Sequence, residues 1–550
     1  MKNFKQKLAA TTLAATIAFS GIGLVNPLQA DAARSGFDQS KVGGTVVLTS
    51  FADAVRLIPF TTSDSASNDI QGLIFDALLS QDINGAPIPN LAEKYTFDKA
   101  KNTYTFTLRK GVKFHDGKPM TAKDVVFSYK MYMDPKSINS YKGDFESIES
   151  VTANGDHTVV IKLKEKDVLF LTNVVTGAAV LASHQFPKGV ADYNSNNKVH
   201  RNPIGTGPFK FKEWKAAERI VVVANKEYWN GRPYLDQVIT RILPDSNVEA
   251  INLLKGSVDF VEALDAAQLP QVSKNKALKT ISYDYGRFDF LGFNSKVAPF
   301  NDEKVRKALA LGLDRQSIVS KVQLGRAYLA SGPMHPKIPQ NNPNVKALPF
   351  DIKQAAKLLD EAGWTLKDGV RQKGGTKMEF EFAYNNGNKV REKIALLAQQ
   401  NWAQLGIKVT PRSYEWSIFL DKYAKGELDI FPLGWGGYDA NVEHSGFFHS
   451  SNIPDPAKNK PGNNRNRIDD PTIDKILDQY KQEEDRNKRI KMYQDLHKHM
   501  ADNTTLIFTY HPKLTAGVNK DLANIKMSIS DPYFNIVDWY WSSAKKRKGN

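Results

Sequence analysis

The chain reads LRKGVKFHDGKPMTAKDVVFS from Leu108 to Ser128, and the organisation of the rest can be worked out from this stretch. The residues that end at Leu108 alternate between apolar and polar, which is typical of a strand. Asp116-Gly117 then predicts a turn. Thr121 is followed three residues later by Asp124, an acidic version of the capping box that predicts the start of a helix. The stretch therefore predicts a strand, a turn and a helix in succession.

Two predicted elements come before this stretch. Gly43 to Phe51 is β-branched and apolar and predicts the first strand after the N-terminal segment. Asp69 to Leu79 has apolar residues at helical spacing, and Asn68 or Asp69 is the predicted helix cap.

The stretch from Leu108 to Ser128 resembles the signature of the extracytoplasmic solute-binding proteins of the peptide/nickel ABC-transporter family. In that family a strand leads into L-R-x-G-V-x-F-H-D-G-x-P-x-T-A-x-D-V-x-x-S. Later segments resemble the same family in the same order: Pro203–Phe209, Asn225–Pro233, Leu291–Asn294, Phe300–Ala308, Asp351–Trp364, Trp435 and Phe447–Ser451. The resemblance runs from residue 43 to residue 541 and so covers nearly all of the chain after its N-terminal segment.

The resemblance implies an α/β protein with the two-lobed periplasmic-binding-protein fold and an extra inserted domain, three domains in all. A chain of 550 residues is also too long for a single core. The predicted limits are 1–32 for a signal peptide, 33–80, 200–285 and 509–550 for lobe I, 81–199 for an inserted domain II, and 286–508 for lobe III.

The N-terminus predicts a cleaved secretory signal. Lysines at positions 2, 5 and 7 precede an apolar run, Leu8 to Val25, that is short for a membrane span. Ala30-Asp31-Ala32 and Leu28-Gln29-Ala30 each offer small residues for cleavage. We therefore expect a protein secreted by a cleaved signal peptide into a periplasmic or other extracytoplasmic location.

Composition excludes several kinds of site and partner. The sequence has no cysteine, so it holds no disulfide framework, no zinc site of cysteine type and no cysteine nucleophile. The formal net charge is +16, but the basic residues are scattered among acidic ones. The one basic run, Lys545 to Lys548, lies at the end of the sequence, where a frayed tail is the ordinary explanation. We expect no nucleic-acid partner.

The sequence carries no pattern typical of a catalytic centre. It contains no Gly-x-Ser-x-Gly, no His-Glu-x-x-His and no Gly-x-x-x-x-Gly-Lys motif. His115 precedes Asp116, but an aspartate at this place in a tight turn usually serves the turn. His444 and His449 lie five residues apart and are weak candidates for metal ligands. We expect no enzyme activity, no catalytic residue, no resident metal and no cofactor.

The candidate binding stretch is Gly426 to Asn441, GELDIFPLGWGGYDAN. Its apolar start predicts a buried strand, and Pro432, which lacks an N–H, predicts that this strand lies at a sheet edge or ends nearby. Glycines on both sides of Trp435 leave the backbone open to close approach, so that an extended ligand could pair with it as an added strand. Asp439 offers a carboxylate for an ammonium group.

The resemblance implies that ligand lies between lobe I and lobe III. Carried onto this sequence, the ligand-binding residues are Thr49, Ser50 and Phe51 in lobe I and Gly434, Trp435, Gly436, Gly437, Tyr438 and Asp439 in lobe III. Their implied role is backbone pairing with an extended peptide, whose side chains enter water-filled pockets.

Two positions depart from the family pattern. Several members have, four residues after the glycine that precedes the tryptophan, an aspartate that holds the peptide ammonium. Here that position is Tyr438, and Asp439 follows it. Some members also have an arginine for the peptide carboxylate two residues before that glycine, where this chain has Pro432. A short peptide of fixed length is therefore not implied.

The sequence as a whole predicts a monomer that binds oligopeptides and delivers them to the membrane permease subunits of an ABC importer. Within the same class, the alternative is a non-peptide solute such as a nickel chelate or haem. A secreted peptidase or chaperone-like protein is the alternative from another class.

Overall fold

The computed structural model describes residues 36–195, 197–284, 286–436, 443–458, 460–528, 531–544 and 546. The strands are β1 (Thr45–Ser50), β2 (Leu79–Gln81), β3 (Pro87–Pro89), β4 (Ala92–Asp98), β5 (Thr103–Leu108), β6 (Ile148–Ala153), β7 (Thr158–Leu163), β8 (Phe209–Lys215), β9 (Arg219–Ala224), β10 (Gln237–Ile242), β11 (Phe260–Val261), β12 (Leu278–Asp284), β13 (Phe288–Phe293), β14 (Ala327–Leu329), β15 (Thr365–Lys367), β16 (Val370–Lys373), β17 (Thr376–Lys377), β18 (Glu379–Asn385), β19 (Lys408–Tyr414), β20 (Ile430–Trp435), β21 (Ile507–Asn519), β22 (Leu522–Ala523) and β23 (Tyr540–Trp541).

Helices alternate with these strands along the chain. They are α1 (Ser65–Ile74), α2 (Ala122–Met133), α3 (Val190–Ser195), α4 (Asn197–Arg201), α5 (Ser246–Leu254), α6 (Leu269–Lys274), α7 (Glu303–Leu311), α8 (Arg315–Ser317), α9 (Ile352–Glu361), α10 (Lys389–Ala403), α11 (Trp416–Lys425), α12 (Ser445–Phe448), α13 (Pro471–Gln482) and α14 (Arg486–Asp502). The α/β class expected from the sequence is confirmed. Within the described ranges, every helix is too short or too polar to cross a membrane.

One large sheet crosses the molecule in the order β19-β18-β20-β13-β21-β11-β1-β10-β9-β8, and β12 and β14 also pair with β21. It has parallel pairs, such as β1 with β10 and β18 with β19, and antiparallel pairs. Two large hydrophobic cores lie against it. One includes Phe290, Phe382 and Trp402, and the other includes Val46, Phe106 and many residues of the small sheet described below. The domain limits given above stay a prediction.

Strand β21 belongs to both halves of the large sheet. Its residues as far as Pro512 pair with β13 and β14, and from Lys513 onward they pair with β12 and β11. The chain crosses between the halves a second time from β12 to β13. The two crossings are bonded to each other, because His511 Nδ1 donates a hydrogen bond of 2.9 Å to the carbonyl oxygen of Arg287. The two halves therefore meet along a pair of adjacent, hydrogen-bonded strands.

A smaller antiparallel sheet, β4-β5-β7-β6, carries the stretch with which the sequence analysis began. Helix α2 follows β5 after the predicted turn. Asp124 Oδ2 accepts hydrogen bonds from the Thr121 backbone N–H at 2.9 Å and from Thr121 Oγ1 at 3.1 Å. The capping box is thereby confirmed.

One local prediction is wrong, and another is wrong in one of its two alternatives. Helix α1 is capped by Asp64, whose carboxylate accepts a hydrogen bond of 2.9 Å from the N–H of Ser67, and it ends at Ile74 rather than at Leu79. It ends early because Gly207 N–H donates to the Ile74 carbonyl oxygen at 2.9 Å. Strand β20 lies inside the sheet, between β18 and β13, and not at an edge. It ends at Trp435, three residues after Pro432, so the alternative that the strand ends nearby is confirmed. Its pairing with β18 involves Ile430 alone, so the missing N–H of Pro432 leaves no ladder bond to β18 unmade.

Replacing His511 with leucine should lower the free energy of unfolding by about 1–3 kcal/mol, because the part-buried Arg287 carbonyl loses the donor on the buried imidazole while most of the apolar volume stays filled. Thermal unfolding followed by circular dichroism measures the effect. The matched control is His184→Leu, which removes a hydrogen bond to Asp116 that lies near the surface. Equal unfolding temperatures for the two variants would contradict a structural role for the bond between the crossings.

Candidate functional site

A cavity of about 1160 Å³ lies between the two halves of the large sheet. Small-molecule sites typically measure about 300–1,000 Å³, so this cavity suits a larger ligand. All six of the sequence-predicted ligand-binding residues that the structure describes line it: Thr49, Ser50, Phe51, Gly434, Trp435 and Gly436. Gly437, Tyr438 and Asp439 lie outside the described residues.

The lobe I wall includes the carboxyl end of β1, where ligands of parallel sheets commonly bind. Strand β1 pairs with β10 along its whole length but with β11 at Leu48 alone. Among the described strands, none pairs with Thr49 and Ser50 on the β11 side. On that side, the backbone N–H and C=O groups of these two residues can pair with an added chain.

The lobe III wall has the same feature. Strand β20 pairs with β13 along its whole length, from Ile430 to Trp435, but with β18 at Ile430 alone. On the β18 side, Leu433, Gly434 and Trp435 have no strand partner within the described ranges. The cavity therefore lies between two strand ends that each have one open edge.

Gly434 is tightly enclosed on the side where a side chain would stand. Arg287 donates two hydrogen bonds to the carboxylate of Asp289, at 2.8 and 2.7 Å. A Cβ atom at Gly434 would lie 2.6 Å from Arg287 Nε and 2.8 Å from Asp289 Oδ1. This ion pair therefore requires glycine at position 434, independently of any ligand.

The two walls are in contact, so the structure describes a closed cleft. Phe51 of lobe I meets Trp416 of lobe III edge to face, with ring centroids 5.2 Å apart. Arg465 Nη2 donates to Ser63 Oγ at 3.3 Å. Further contacts join domain II to lobe III: Val168 N–H to the Lys481 carbonyl oxygen at 2.9 Å, and Lys99 and Lys166 to Glu484 Oε1 at 3.0 and 3.2 Å.

A buried carboxyl missed by the sequence analysis shapes one end of the cavity. Asp76 accepts hydrogen bonds from Thr206 Oγ1, Tyr228 Oη and Trp229 Nε1 at 3.0, 3.0 and 3.2 Å. Burial raises the pKa of Asp76, although these donors oppose the shift. The bonds hold the Tyr228 and Trp229 rings at the cavity wall.

The lobe III wall also presents donors that the sequence analysis did not single out. Arg391 is 8% exposed, and its Nη1 donates to Asn385 Oδ1 at 2.6 Å. Within the described ranges its guanidinium forms no ion pair, and burial lowers the pKa of Arg391 to about 10. Trp416 is 7% exposed, and its Nε1–H has no acceptor among the described residues. Arginine and tryptophan at such positions carry no sequence motif that would have identified them.

The histidines considered from the sequence lie elsewhere. His115 is held structurally, since its Nε2 donates to the Gly207 carbonyl oxygen at 3.0 Å, and burial lowers the pKa of His115 to about 4. His444 lies against Phe288, Phe448 and Tyr493, and burial lowers its pKa to about 3. His449 Nε2 lies 3.3 Å from Asp478 Oδ1. None of the three lines the cavity. The described residues contain no group of three His, Asp or Glu side chains arranged to hold a metal ion.

A family model described as "Bacterial extracellular solute-binding proteins, family 5 Middle" matches residues 86–455. The oligopeptide-binding protein AppA of Bacillus subtilis is 33% identical over 512 residues, which cover 90% of this chain and 92% of AppA.

Solved structures agree in fold. AppA from Bacillus subtilis, in complex with a nonapeptide, has a TM-score of 0.87 at 32% identity and covers 92% of this chain and 100% of its own. NikZ from Campylobacter jejuni, in complex with Ni(L-His), has a TM-score of 0.80 at 26% identity with the same coverage. The expected fold, two-lobed with an inserted domain, is thereby confirmed.

Replacing Gly434 with alanine should lower the free energy of unfolding by about 1–3 kcal/mol, because the new methyl group would displace the Arg287–Asp289 pair. The matched control is Gly72→Ala. Gly72 lines the same cavity from helix α1, and a Cβ there would meet nothing within 4 Å. That substitution should stabilise the helix by up to about 1 kcal/mol. Thermal unfolding of both variants compares them, and an unchanged Gly434→Ala variant would contradict the packing described.

Proposed function

The chain belongs to family 5 of the bacterial extracellular solute-binding proteins, and we propose that it binds oligopeptides in the cavity between lobe I and lobe III for delivery to an ABC importer. One observation carries the proposal: a strand end with an open edge lies on each wall, at Thr49–Ser50 and at Leu433–Trp435. An extended peptide supplies the matching N–H and C=O groups.

Backbone pairing also accounts for the size of the cavity. Main-chain hydrogen bonds contribute affinity that does not depend on the side chains of the peptide. The volume of about 1160 Å³ leaves room for side chains together with bridging water. A binder of this kind accepts many sequences and selects for an extended backbone.

The similarity to AppA supports an oligopeptide over an amino acid or a dipeptide. AppA is named for oligopeptide binding and has been crystallised with a nonapeptide. Pro432 occupies the position where some family members carry an arginine for the peptide carboxylate. We propose that ligand length in this chain is not set at that position.

We propose further that residues 1–32 are a signal peptide removed on export, and that the mature chain acts as a monomer. It would meet the permease subunits of its importer and would not alter its ligand chemically. The nickel-chelate and haem alternatives have less support, because His444 and His449 do not line the cavity.

Peptides methylated on backbone nitrogen should test the pairing directly. An alanine-rich nonapeptide with N-methyl groups at alternate residues should bind at least about tenfold more weakly than its unmethylated form, since each methyl group removes a donor. Nonapeptides of the same composition in scrambled order should bind within about threefold of one another. Isothermal titration calorimetry with the purified mature protein measures these affinities.

Mass spectrometry of the same mixtures after prolonged incubation provides the second readout. Intact peptides are expected. Fragments made by the pure protein would show that it is a peptidase rather than a binding protein. Equal affinity for methylated and unmethylated peptides would contradict backbone pairing.

A further inference from the structure

The two large hydrophobic cores separate the protein into two bodies. One core joins Phe106 and Ile161 of domain II to Val46 and Leu48 of lobe I, and it contains no described residue of lobe III. The other core is built almost entirely from residues 288–510. Domain II and lobe I therefore pack as one body, and lobe III packs as the other.

Leu169 is an exception to this division. It belongs to domain II, yet it is 4% exposed and lies in the lobe III core, and among the described residues it is the one buried apolar side chain of domain II that does so. Val168 packs against the same core, and its N–H donates a hydrogen bond of 2.9 Å to the Lys481 carbonyl oxygen. This short segment therefore anchors one body to the other.

Polar groups on both sides of the anchor add to the contact. Gln482 Nε2 donates a hydrogen bond of 2.8 Å to Glu165 Oε2. Glu484 Oε1 lies 3.0 Å from Lys99 Nζ and 3.2 Å from Lys166 Nζ. Each of these contacts joins domain II to lobe III.

We call residues 165–169 of domain II and 481–484 of lobe III the clasp. The first segment is shaped within domain II, because Asp167 accepts hydrogen bonds from Leu169 N–H at 3.0 Å and from Ser147 Oγ at 3.2 Å. The second segment is the end of α13 and the turn that follows it. Each side is held by its own body, so the clasp can form and separate without refolding of either side.

The polar part of the clasp is weak enough to separate. The side chains of Lys99, Lys166 and Glu484 are 74%, 36% and 52% exposed. Exposed ion pairs each contribute little stability, and small polar interfaces between domains permit relative motion. A contact of this kind differs from the continuous core that joins domain II to lobe I.

A second close approach joins the same two bodies. Gly143 lies in a 3₁₀ turn of domain II, Lys142–Phe145, and a Cβ atom at this position would lie 2.3 Å from Asn452 Oδ1 of lobe III. Asn452 is 7% exposed, and its Nδ2 donates a hydrogen bond of 3.0 Å to the Ser445 carbonyl oxygen. The Asn452 side chain therefore cannot turn away without losing that bond.

We propose that domain II fastens the closed cleft: residues 165–169 dock on residues 481–484 when the cleft closes over a ligand, and they separate when it opens. None of the clasp residues lines the cavity, so the clasp acts on affinity by stabilising the closed form and not by touching the ligand. The inference goes beyond the proposed function, and it does not depend on which solute the cavity holds.

Thiol labelling at position 169 tests whether the clasp opens. The chain has no cysteine, so Leu169→Cys introduces a single thiol. The matched control is Leu163→Cys, at a leucine that is 2% exposed and lies in the core shared by domain II and lobe I. In the peptide-free protein, iodoacetamide should modify Leu169→Cys at least about tenfold faster than Leu163→Cys, since opening of the cleft exposes only the first thiol. Mass spectrometry measures both rates.

The unmethylated alanine-rich nonapeptide at saturation should slow the labelling of Leu169→Cys at least about tenfold and leave Leu163→Cys unchanged. Equal labelling rates of the two variants without peptide would overturn the clasp, as would a bound peptide that leaves the rate at position 169 unchanged. If position 169 is labelled rapidly and calorimetry detects no bound nonapeptide, the proposed function fails and the clasp stands.

A wedge between the two bodies provides an independent test. Gly143→Ala should weaken nonapeptide binding at least about threefold, because the methyl group opposes the close approach to Asn452. Adding Asn452→Ala should restore most of the affinity, which a local defect in domain II would not allow. The matched control is Gly177→Ala in the same domain, where a Cβ atom would lie 3.6 Å from its nearest neighbour. Wild-type affinity in Gly143→Ala, measured by calorimetry, would contradict the clasp.

Discussion

The two halves of this protein are joined by two neighbouring chain crossings that share a hydrogen bond from His511 to the carbonyl of Arg287. Strand β21 is continuous across both halves and pairs with strands of each. Burial lowers the pKa of His511 to about 3, so the imidazole stays neutral and its Nδ1–H remains a donor at ordinary pH. The distance between the cavity walls depends on this pair of strands.

The same crossing positions groups of the binding cavity. Arg287 lies directly before β13, and its bidentate bond to Asp289 fills the space beside Gly434 on β20. A change of angle between the halves would therefore move the lobe III wall relative to the end of β1. Phe51 of one half lies against Trp416 of the other, and residues of both halves line one cavity.

Local sequence rules predicted some elements well and others poorly, for physical reasons that particular residues show. The spacing of Thr121 and Asp124 predicted a capping box, because both partners of that motif lie within one turn. The start of helix α1 was misplaced at Asn68 or Asp69, and its true cap is Asp64. Its end depends on Gly207, which is distant in sequence. Pro432 predicted an edge strand or a strand that ends nearby. The strand is interior, but it ends at Trp435 and pairs with β18 at Ile430 alone.

For the candidate site as well, some residues were predicted from the sequence and others were not. The resemblance to a known family indicated Thr49–Phe51 and Gly434–Gly436, which line the cavity. It gave no sign of Asp76, Arg391 and Trp416, which lie far apart in sequence and come to line the same cavity only in the folded chain. Asp69 had been assigned to a helix cap, a local role that hid its position in the cavity. Residues that line a cavity together in this way can be identified only from the tertiary structure, since no sequence spacing connects them.

Native mass spectrometry of the mature protein, purified without denaturation and followed by denaturing release of whatever is bound, tests the central claim most directly. The account predicts a set of peptides of mixed sequence within a narrow range of lengths. A single metal complex, or one uniform small molecule that is not a peptide, would contradict it.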